Sequence, residues 1–230
     1  MEKILEIRAA EGGDDAKLFV NELSSSYVKF FTKKGWLTSY ITDVDNSGSN
    51  IIRIKVSGKN LDKLDNEAGG HRIQRVPPTE KRGRVHTSTV TVAIINSNDE
   101  LYNNKINDND IVVEWFNGTV GAGGQNHQKT QNCARIKHIP TGIIRTGQSR
   151  SRKNSYKIAM DALLKDIIDI NKKISHDHIN NDRRCQIGSG MRGDKIRTYQ
   201  FQSDQVKDHI SGKCANLSKV MKGNFDLLWK

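Results

Sequence analysis

The chain has 230 residues, enough for one large domain or two modest ones with separate cores. Its 37 basic and 26 acidic residues give a net charge of +11, which favours a polyanionic partner. No apolar run approaches the ~20 residues of a membrane span, so nucleic acid is favoured over a membrane. Three widely spaced cysteines, Cys133, Cys185 and Cys214, form no C-x-x-C motif, so we predict no metal, disulfide or other cofactor.

The spacing of apolar residues predicts a series of strands and helices. Acidic residues follow Gly12-Gly13 at the start of the first helix, where Asp14 as a simple helix cap is one interpretation, and Gly35 marks its end. In chain order the predicted elements are a strand at 4–9, a helix at 16–34, strands at 51–56, 88–95, 111–116, 133–139 and 143–146, a helix at 156–184, an extended stretch at 192–201, and helices at 203–210 and 217–228. This pattern predicts a mixed α+β protein with two lobes.

Two stretches lack such periodicity. Residues 69–87 are rich in Gly, Pro and Arg and are predicted to be a long ordered loop, a type of loop that is often functional. Residues 96–110 are polar and are predicted to be a linker. The boundary between the two lobes is therefore expected at the linker.

Glycines are concentrated in a second loop, Gly121-Ala122-Gly123-Gly124-Gln125. Such a loop adopts backbone angles closed to other residues and brings its amides close to a ligand. A tight turn or a phosphate cradle is an alternative, although neither the P-loop nor the dinucleotide-binding pattern is present. A His127–Cys133 dyad is a further alternative, because nucleophile and base need only lie within hydrogen-bond reach.

The loop at 69–87 has features suited to reading single-stranded RNA. Pro77 and Pro78 stiffen its tip, the Thr79 hydroxyl lies beside them, and His86 offers a flat ring. Proteins read unpaired bases by hydrogen bonds to their edges and by stacking on their faces. A basic surface loop whose histidine merely flanks a strand is the alternative interpretation.

The sequences of both loops resemble those of one family, the class I bacterial and organellar peptide chain release factors. The similarity covers residues 69–88 and 121–143, and it extends to Gly12-Gly13-Asp14-Asp15, Gln186–Gly190 and Leu217–Leu227. It implies an α+β fold of two lobes, with a decoding α/β superdomain completed by the C-terminal segment and an inserted catalytic domain. The implied boundaries are 1–107 for codon recognition, 108–191 for hydrolysis and 192–230 for the returning C-terminal segment.

The resemblance implies roles for the Gly-Gly-Gln loop. Gly123 and Gly124 would give backbone freedom, and the main-chain N–H of Gln125 would stabilise negative charge on oxygen as the peptidyl-tRNA ester is hydrolysed. The Gln125 side chain would admit water, and in the family it is methylated by a glutamine methyltransferase. Hydrolysis is expected only together with the ribosome.

The resemblance also implies roles in codon recognition. The tripeptide Pro77-Pro78-Thr79 is similar to the Pro-x-Thr of factors that read UAA and UAG, with Thr79 at the second base. His86 would separate the second base from the third, and Gln74 with Thr87 would contact the third. Gly12 and Asp15, at a helix start, would contact the first base, because helix N-termini offer free N–H groups.

The expected partners are the ribosome, with its stop codon, ribosomal RNA and P-site peptidyl-tRNA, and the methyltransferase. A cytoplasmic monomer of a bacterial-type translation system is expected, with a phage or an organelle among the sources considered. The resemblance also leads us to expect a factor that lacks the family's N-terminal helical domain. Two alternatives stay open, a codon-independent ribosome-rescue hydrolase and an inactive competitor for the decoding site.

Overall fold

A computed structural model describes residues 1–41, 50–96, 107–118, 129–188, 191 and 193–229 of the chain. The chain divides into two compact units, Met1–Asp99 with His178–Lys230, and Glu100–Asp177. Among the described residues, no helix combines the length and apolar character that crossing a membrane requires. The predicted α+β fold with two lobes is confirmed.

Most strands follow one another in the described part of the chain, with a helix between some of them. They are β1 (Glu2–Ala9), α1 (Gly13–Lys33), β2 (Leu37–Tyr40), β3 (Ile51–Ser57), a 3-10 helix (Leu61–Glu67), β4 (Gly69–Arg75), β5 (His86–Asn96), a 3-10 turn (Asp108–Asp110), β6 (Ile111–Phe116), β7 (Cys133–His138), β8 (Ile144–Gly147), α2 (Arg152–Ile187), β9 (Arg197–Gln200), β10 (Gln205–Asp208), β11 (Cys214–Asn216), α3 (Leu217–Met221) and a 3-10 helix (Phe225–Leu228).

One sheet organises the first unit, with the described strands in the order β11-β10-β9-β4-β5-β1-β3-β2. Strand β9 of the C-terminal segment pairs in parallel with β4, His71 opposite Arg197, whereas the neighbouring pairs β4–β5 and β9–β10 are antiparallel. The C-terminal segment therefore extends a sheet that the first hundred residues begin.

Helix α1 packs its apolar face against this sheet. Its buried apolar positions recur at the three- and four-residue spacing of a helix and are Ala16, Phe19, Val20, Leu23, Tyr27, Phe30 and Phe31. The C-terminal residues join the same core: the Tyr27 and Phe225 rings stack with centroids 4.4 Å apart, and the Phe30 and Trp229 rings meet edge to face at 5.2 Å.

A buried carboxylate, Glu67, ties the C-terminal segment to this core. Its Oε2 accepts hydrogen bonds from Arg197 Nη1 at 2.5 Å and Tyr27 Oη at 2.6 Å, and its Oε1 accepts from Trp229 Nε1 at 2.5 Å. Asp208 Oδ2 accepts from Arg197 Nη2 at 2.9 Å. Glu67 and Arg197 are both fully buried, so each charge depends on the other for compensation.

The electrostatics of this cluster follow from burial and from Arg197. Burial raises the pKa of Glu67, but the Arg197 guanidinium outweighs it and holds that pKa below its usual value. Burial, reinforced by Arg197, lowers the pKa of His71 to about 4. Neutral His71 bonds through Nε2 to the Glu67 carbonyl at 2.9 Å and through Nδ1 to Tyr199 Oη at 3.0 Å.

The second unit is a smaller sheet packed on a helix. The described strands run β6-β7-β8, both pairs antiparallel, and Phe116 lies opposite Cys133 at the end of the β6–β7 pair. Its core consists of Ala134, Ile136, Ala159, Leu163 and Ile167, from β7 and α2. A side chain on Gly147 would meet the Ser155 carbonyl oxygen at 2.0 Å, so glycine permits close contact with the helix there.

Some sequence predictions are wrong. Residues 203–210 are not helical: Asp204 takes a left-handed φ of 45° and Gln205–Asp208 forms strand β10. Pairing with β9 overrides the helix that the local sequence predicts. The predicted loop at 69–87 is shorter, since β4 occupies Gly69–Arg75. The helix predicted at 217–228 is interrupted at Gly223, where φ is 85°.

We expect Arg197→Met to lower the free energy of unfolding by about 3–5 kcal/mol, because it leaves Glu67 charged, buried and unpaired. Urea denaturation at pH 7 measures this loss. Lys34→Met is the matched control: it breaks the exposed Lys34–Asp226 pair and is expected to cost about 1 kcal/mol or less. Equal costs for the two variants would contradict the structural role of the buried pair.

Candidate nucleic-acid interface

The loop between β4 and β5, residues 76–85, begins with a tight turn. The Glu80 N–H donates to the Pro77 carbonyl at 3.0 Å, which closes a four-residue turn with Pro78 at its second position. Proline fixes the φ angle that this position requires. Pro77 is buried, whereas Pro78 and Thr79 are exposed, so the turn presents the Thr79 side chain to solvent.

A single carboxylate organises the rest of the loop. Glu80 Oε1 accepts from the Arg82 N–H at 2.7 Å, while Oε2 bonds to Arg84 Nη2 at 3.0 Å and His86 Nε2 at 2.8 Å. The Arg82 N–H, with Arg84 and His86, lowers the pKa of Glu80 to about 2. The carboxylate therefore stays charged near neutral pH and fixes the direction of the exposed His86 ring.

Strand register places the other candidate residues at the base of this loop. Gln74 lies directly opposite Thr87, and Arg75 lies opposite His86. Opposite residues in a sheet share a face, so Gln74 and Thr87 present their side chains together. The two residues predicted to share one base are therefore neighbours across the strand pair, although the whole loop separates them along the chain.

The start of α1 contacts the beginning of β5. Gly12 has φ 122°, and a side chain there would meet Ser88 Oγ at 2.3 Å. Asp15 is buried and accepts from Ser88 Oγ at 2.8 Å and from Arg75 Nε at 2.7 Å. No side chain from the described part of the chain caps this helix, so the interpretation of Asp14 as a cap is wrong and Gly12 holds the N-cap position.

Arg75 links the helix to the strand. Besides Asp15 it donates from Nη1 to Glu22 at 2.8 Å, and it lies over the Phe201 ring at 5.2 Å. Burial would lower the pKa of Arg75, but Glu22 and Asp15 raise it, so it stays charged. One polar network thus joins the helix start to the strand pair, and a second one, centred on Glu80, joins the turn to His86.

The candidate catalytic residues Gly123, Gly124 and Gln125 lie outside the described residues, as does His127. Cys133, the other half of the alternative dyad, is 2 % exposed in β7. A buried thiol of this kind is typical of a structural cysteine. Within the described ranges, no three His, Cys, Asp or Glu side chains converge to hold a metal ion.

Sequence reasoning missed several residues that position the candidates, namely Arg75, Glu80, Ser88 and Gln200. Glu80 had a usable signal, because it is the sole acid in a loop that carries Lys81, Arg82 and Arg84. Ser88 and Gln200 had none, since their contacts join distant segments: Ser88 reaches Asp15, and Gln200 Nε2 donates to Gln74 Oε1 at 3.2 Å.

Comparison with known proteins gives the class of protein. Residues 1–92 match the PCRF domain family, and residues 99–210 match the RF-1 domain family. The structure of RF2 of Thermus thermophilus superposes with a TM-score of 0.55 at 27% identity, covering 99% of this chain and 66% of that one. The fold and the paired domains are those of release factors.

Curated relatives agree with this class. Peptide chain release factor 1 of a Nitratiruptor species is 38% identical over 227 residues, 96% of this chain and 64% of the relative. That of Polynucleobacter asymbioticus is 37% identical over 227 residues, 96% of this chain and 63% of the relative. Nearly the whole chain is therefore similar to peptide chain release factors, and it spans somewhat less than two thirds of the length of these relatives.

We expect Gly12→Ala to destabilise the fold more than Gly13→Ala. Both glycines have positive φ, for which an alanine costs about 1–2 kcal/mol. Only Gly12 also contacts Ser88, whereas a side chain on Gly13 would meet nothing within 4 Å. Urea denaturation of the two variants measures the difference. Equal losses would contradict the Gly12–Ser88 contact.

Proposed function

We propose that this protein terminates translation by recognising UAA and UAG in the ribosomal A site and triggering hydrolysis of the peptidyl-tRNA ester. One observation carries the proposal: β4 and β5 place Gln74 beside Thr87 at the foot of a stiff turn that exposes Thr79. Hydrogen-bonding groups with a fixed spacing beside a flat, exposed ring are what reading of unpaired bases requires.

Each codon position then has its own group. The start of α1 offers backbone N–H groups to the first base, and Asp15 acts there through Arg75 and Ser88, which occupy its carboxylate oxygens. Thr79 reads the second base. His86, held by Glu80, stacks between the second base and the third. Gln74 and Thr87 contact the third base, where A and G are both accepted.

The Pro-x-Thr pattern of Pro77-Pro78-Thr79 supports the assignment to UAA and UAG. The similarity to proteins named peptide chain release factor 1 is consistent with it. In this proposal residues 1–107 and 192–230 recognise the codon, and residues 108–191 carry the hydrolytic loop. The net charge of +11 suits a partner made largely of RNA.

The hydrolytic step is assigned to the segment between β6 and β7. Phe116 and Cys133 form the last pair of these two strands, and Asn132 Nδ2 donates to the Arg150 carbonyl at 3.2 Å. These contacts hold in place the residues at which the chain enters β7. The main-chain N–H of Gln125 stabilises the oxyanion, and the ribosome and tRNA supply the rest. We assign Gln125 as the substrate of a glutamine methyltransferase and propose a cytoplasmic monomer.

Peptide release from ribosomes programmed with UAA, UAG, UGA, a sense codon or an empty A site tests this function. Release at UAA and UAG alone is the expected result. Release with an empty A site would instead indicate a rescue hydrolase. Ribosome binding without release at any codon would indicate a competitor for the decoding site, and either result would overturn the proposal.

We expect Gln125→Pro to reduce release at UAA by about 10²–10³-fold, because proline removes the main-chain N–H donor to the oxyanion. Ribosome binding should be largely unchanged, as measured by co-sedimentation. Gln125→Ala is the matched control, since it keeps the N–H and should lose much less activity. A Gln125→Pro protein with undiminished release would remove the assigned mechanism.

We expect Thr79→Ala to weaken discrimination at the second base before it weakens release at UAA. Loss of one base-contacting hydroxyl corresponds to about 1 kcal/mol, or roughly fivefold in the ratio of kcat/KM at UAA to that at UGA. Lys81→Ala, on the same exposed loop, is the control and should leave the ratio unchanged. A slower release at every codon with unaltered ratios would contradict this role for Thr79.

A further inference from the structure

Amide side chains form a row across the outer part of the first sheet. Register places Gln200 of β9 opposite Gln74 of β4, Gln205 of β10 opposite Gln200, and Asn216 of β11 opposite Gln205. Because opposite residues share a face, these four side chains continue the line that begins with Thr87. We call Gln74, Gln200, Gln205 and Asn216 the amide row.

Within the amide row, Gln200 bonds directly to the residue assigned to the third base. Gln200 Nε2 donates to Gln74 Oε1 at 3.2 Å. Ser203 Oγ in turn donates to Gln200 Oε1 at 3.4 Å, which directs the Gln200 nitrogen toward Gln74. Gln74 and Gln200 are both half-buried, so their contact is partly shielded from competing water.

This contact sets which end of the Gln74 amide is free. A glutamine amide accepts at oxygen and donates at nitrogen, and rotation by 180° exchanges the two. With Oε1 occupied by Gln200, Gln74 presents its Nε2 donor. Adenine and guanine share an acceptor at N7 and guanine adds O6, whereas pyrimidines lack N7.

We propose that Gln200 is a positioning residue that fixes Gln74 as a donor and thereby sets the base preference at the third codon position. The proposal rests on the proposed function and deepens it. It gives the C-terminal segment a part in specificity, because Gln200 reaches Gln74 through the parallel β4–β9 pairing.

Two substitutions separate positioning from general support of the fold. Gln200→Glu cannot donate to Gln74 Oε1 but accepts from Gln74 Nε2, which turns Oε1 outward to accept from adenine N6. It should raise the kcat/KM ratio of UAA to UAG by about three- to tenfold, the value of one hydrogen bond. Gln200→Ala frees the Gln74 amide to rotate and should reduce discrimination against UAC by a similar factor.

Gln205→Ala is the control, because it removes the next amide of the row without touching the Gln200–Gln74 bond. The test is peptide release by the full chain at UAA, UAG, UAC and UGA, with thermal unfolding to confirm that each variant is folded. We expect both Gln200 variants to keep the UAA-to-UGA ratio, which reports the second base, while Gln205→Ala keeps all ratios.

Unchanged third-base ratios in folded Gln200→Glu and Gln200→Ala proteins would overturn this inference. So would an equal shift in Gln205→Ala. Both results leave the proposed function intact, provided that the unaltered chain releases peptide at UAA and UAG. If the unaltered chain releases at no stop codon, the proposed function fails first and this inference fails with it.

Discussion

The ion pair between Glu67 and Arg197 is the constraint on which the first unit depends. A carboxylate without exposure to water is tolerated only with a counter-charge and filled hydrogen bonds, and Arg197, Tyr27 and Trp229 supply them. Because Arg197 begins β9, satisfying Glu67 also sets β9 beside β4. The register that follows brings Gln200 to Gln74, so a charge requirement in the core determines contacts at the candidate RNA-binding face.

A second carboxylate, that of Glu80, lies in a surface loop, whereas Glu67 lies in the core. It lies in an exposed, basic loop whose proposed ligand is polyanionic, where a carboxylate would ordinarily oppose binding. Its four hydrogen-bonding contacts, two of them from Arg84, explain its presence: they hold the loop and the His86 ring in place before the proposed RNA ligand binds. Preorganisation of this kind reduces the conformational entropy that binding would otherwise have to overcome.

The sequence predicted the central elements well where periodicity was strong. Strand β6 was placed at its observed bounds, and the long helix α2 was found with its ends a few residues short. Prediction was wrong where pairing decides structure, as in β10, whose short segment becomes a strand only beside β9. At the candidate site the resemblance supplied Gln74, Thr79, His86 and Thr87, whereas the residues that orient them were missed because their partners are remote in sequence.

The parallel pairing of β9 with β4 has a consequence for biogenesis. Glu67 and Arg197 are 130 residues apart, so during synthesis the edge of β4 and the Glu67 carboxylate emerge long before their partners. Pairings of such separation form slowly, and unpaired strand edges promote association with other chains. The nascent protein therefore passes through a stage with an incomplete sheet, at which chaperone binding would protect it until the C-terminal segment arrives.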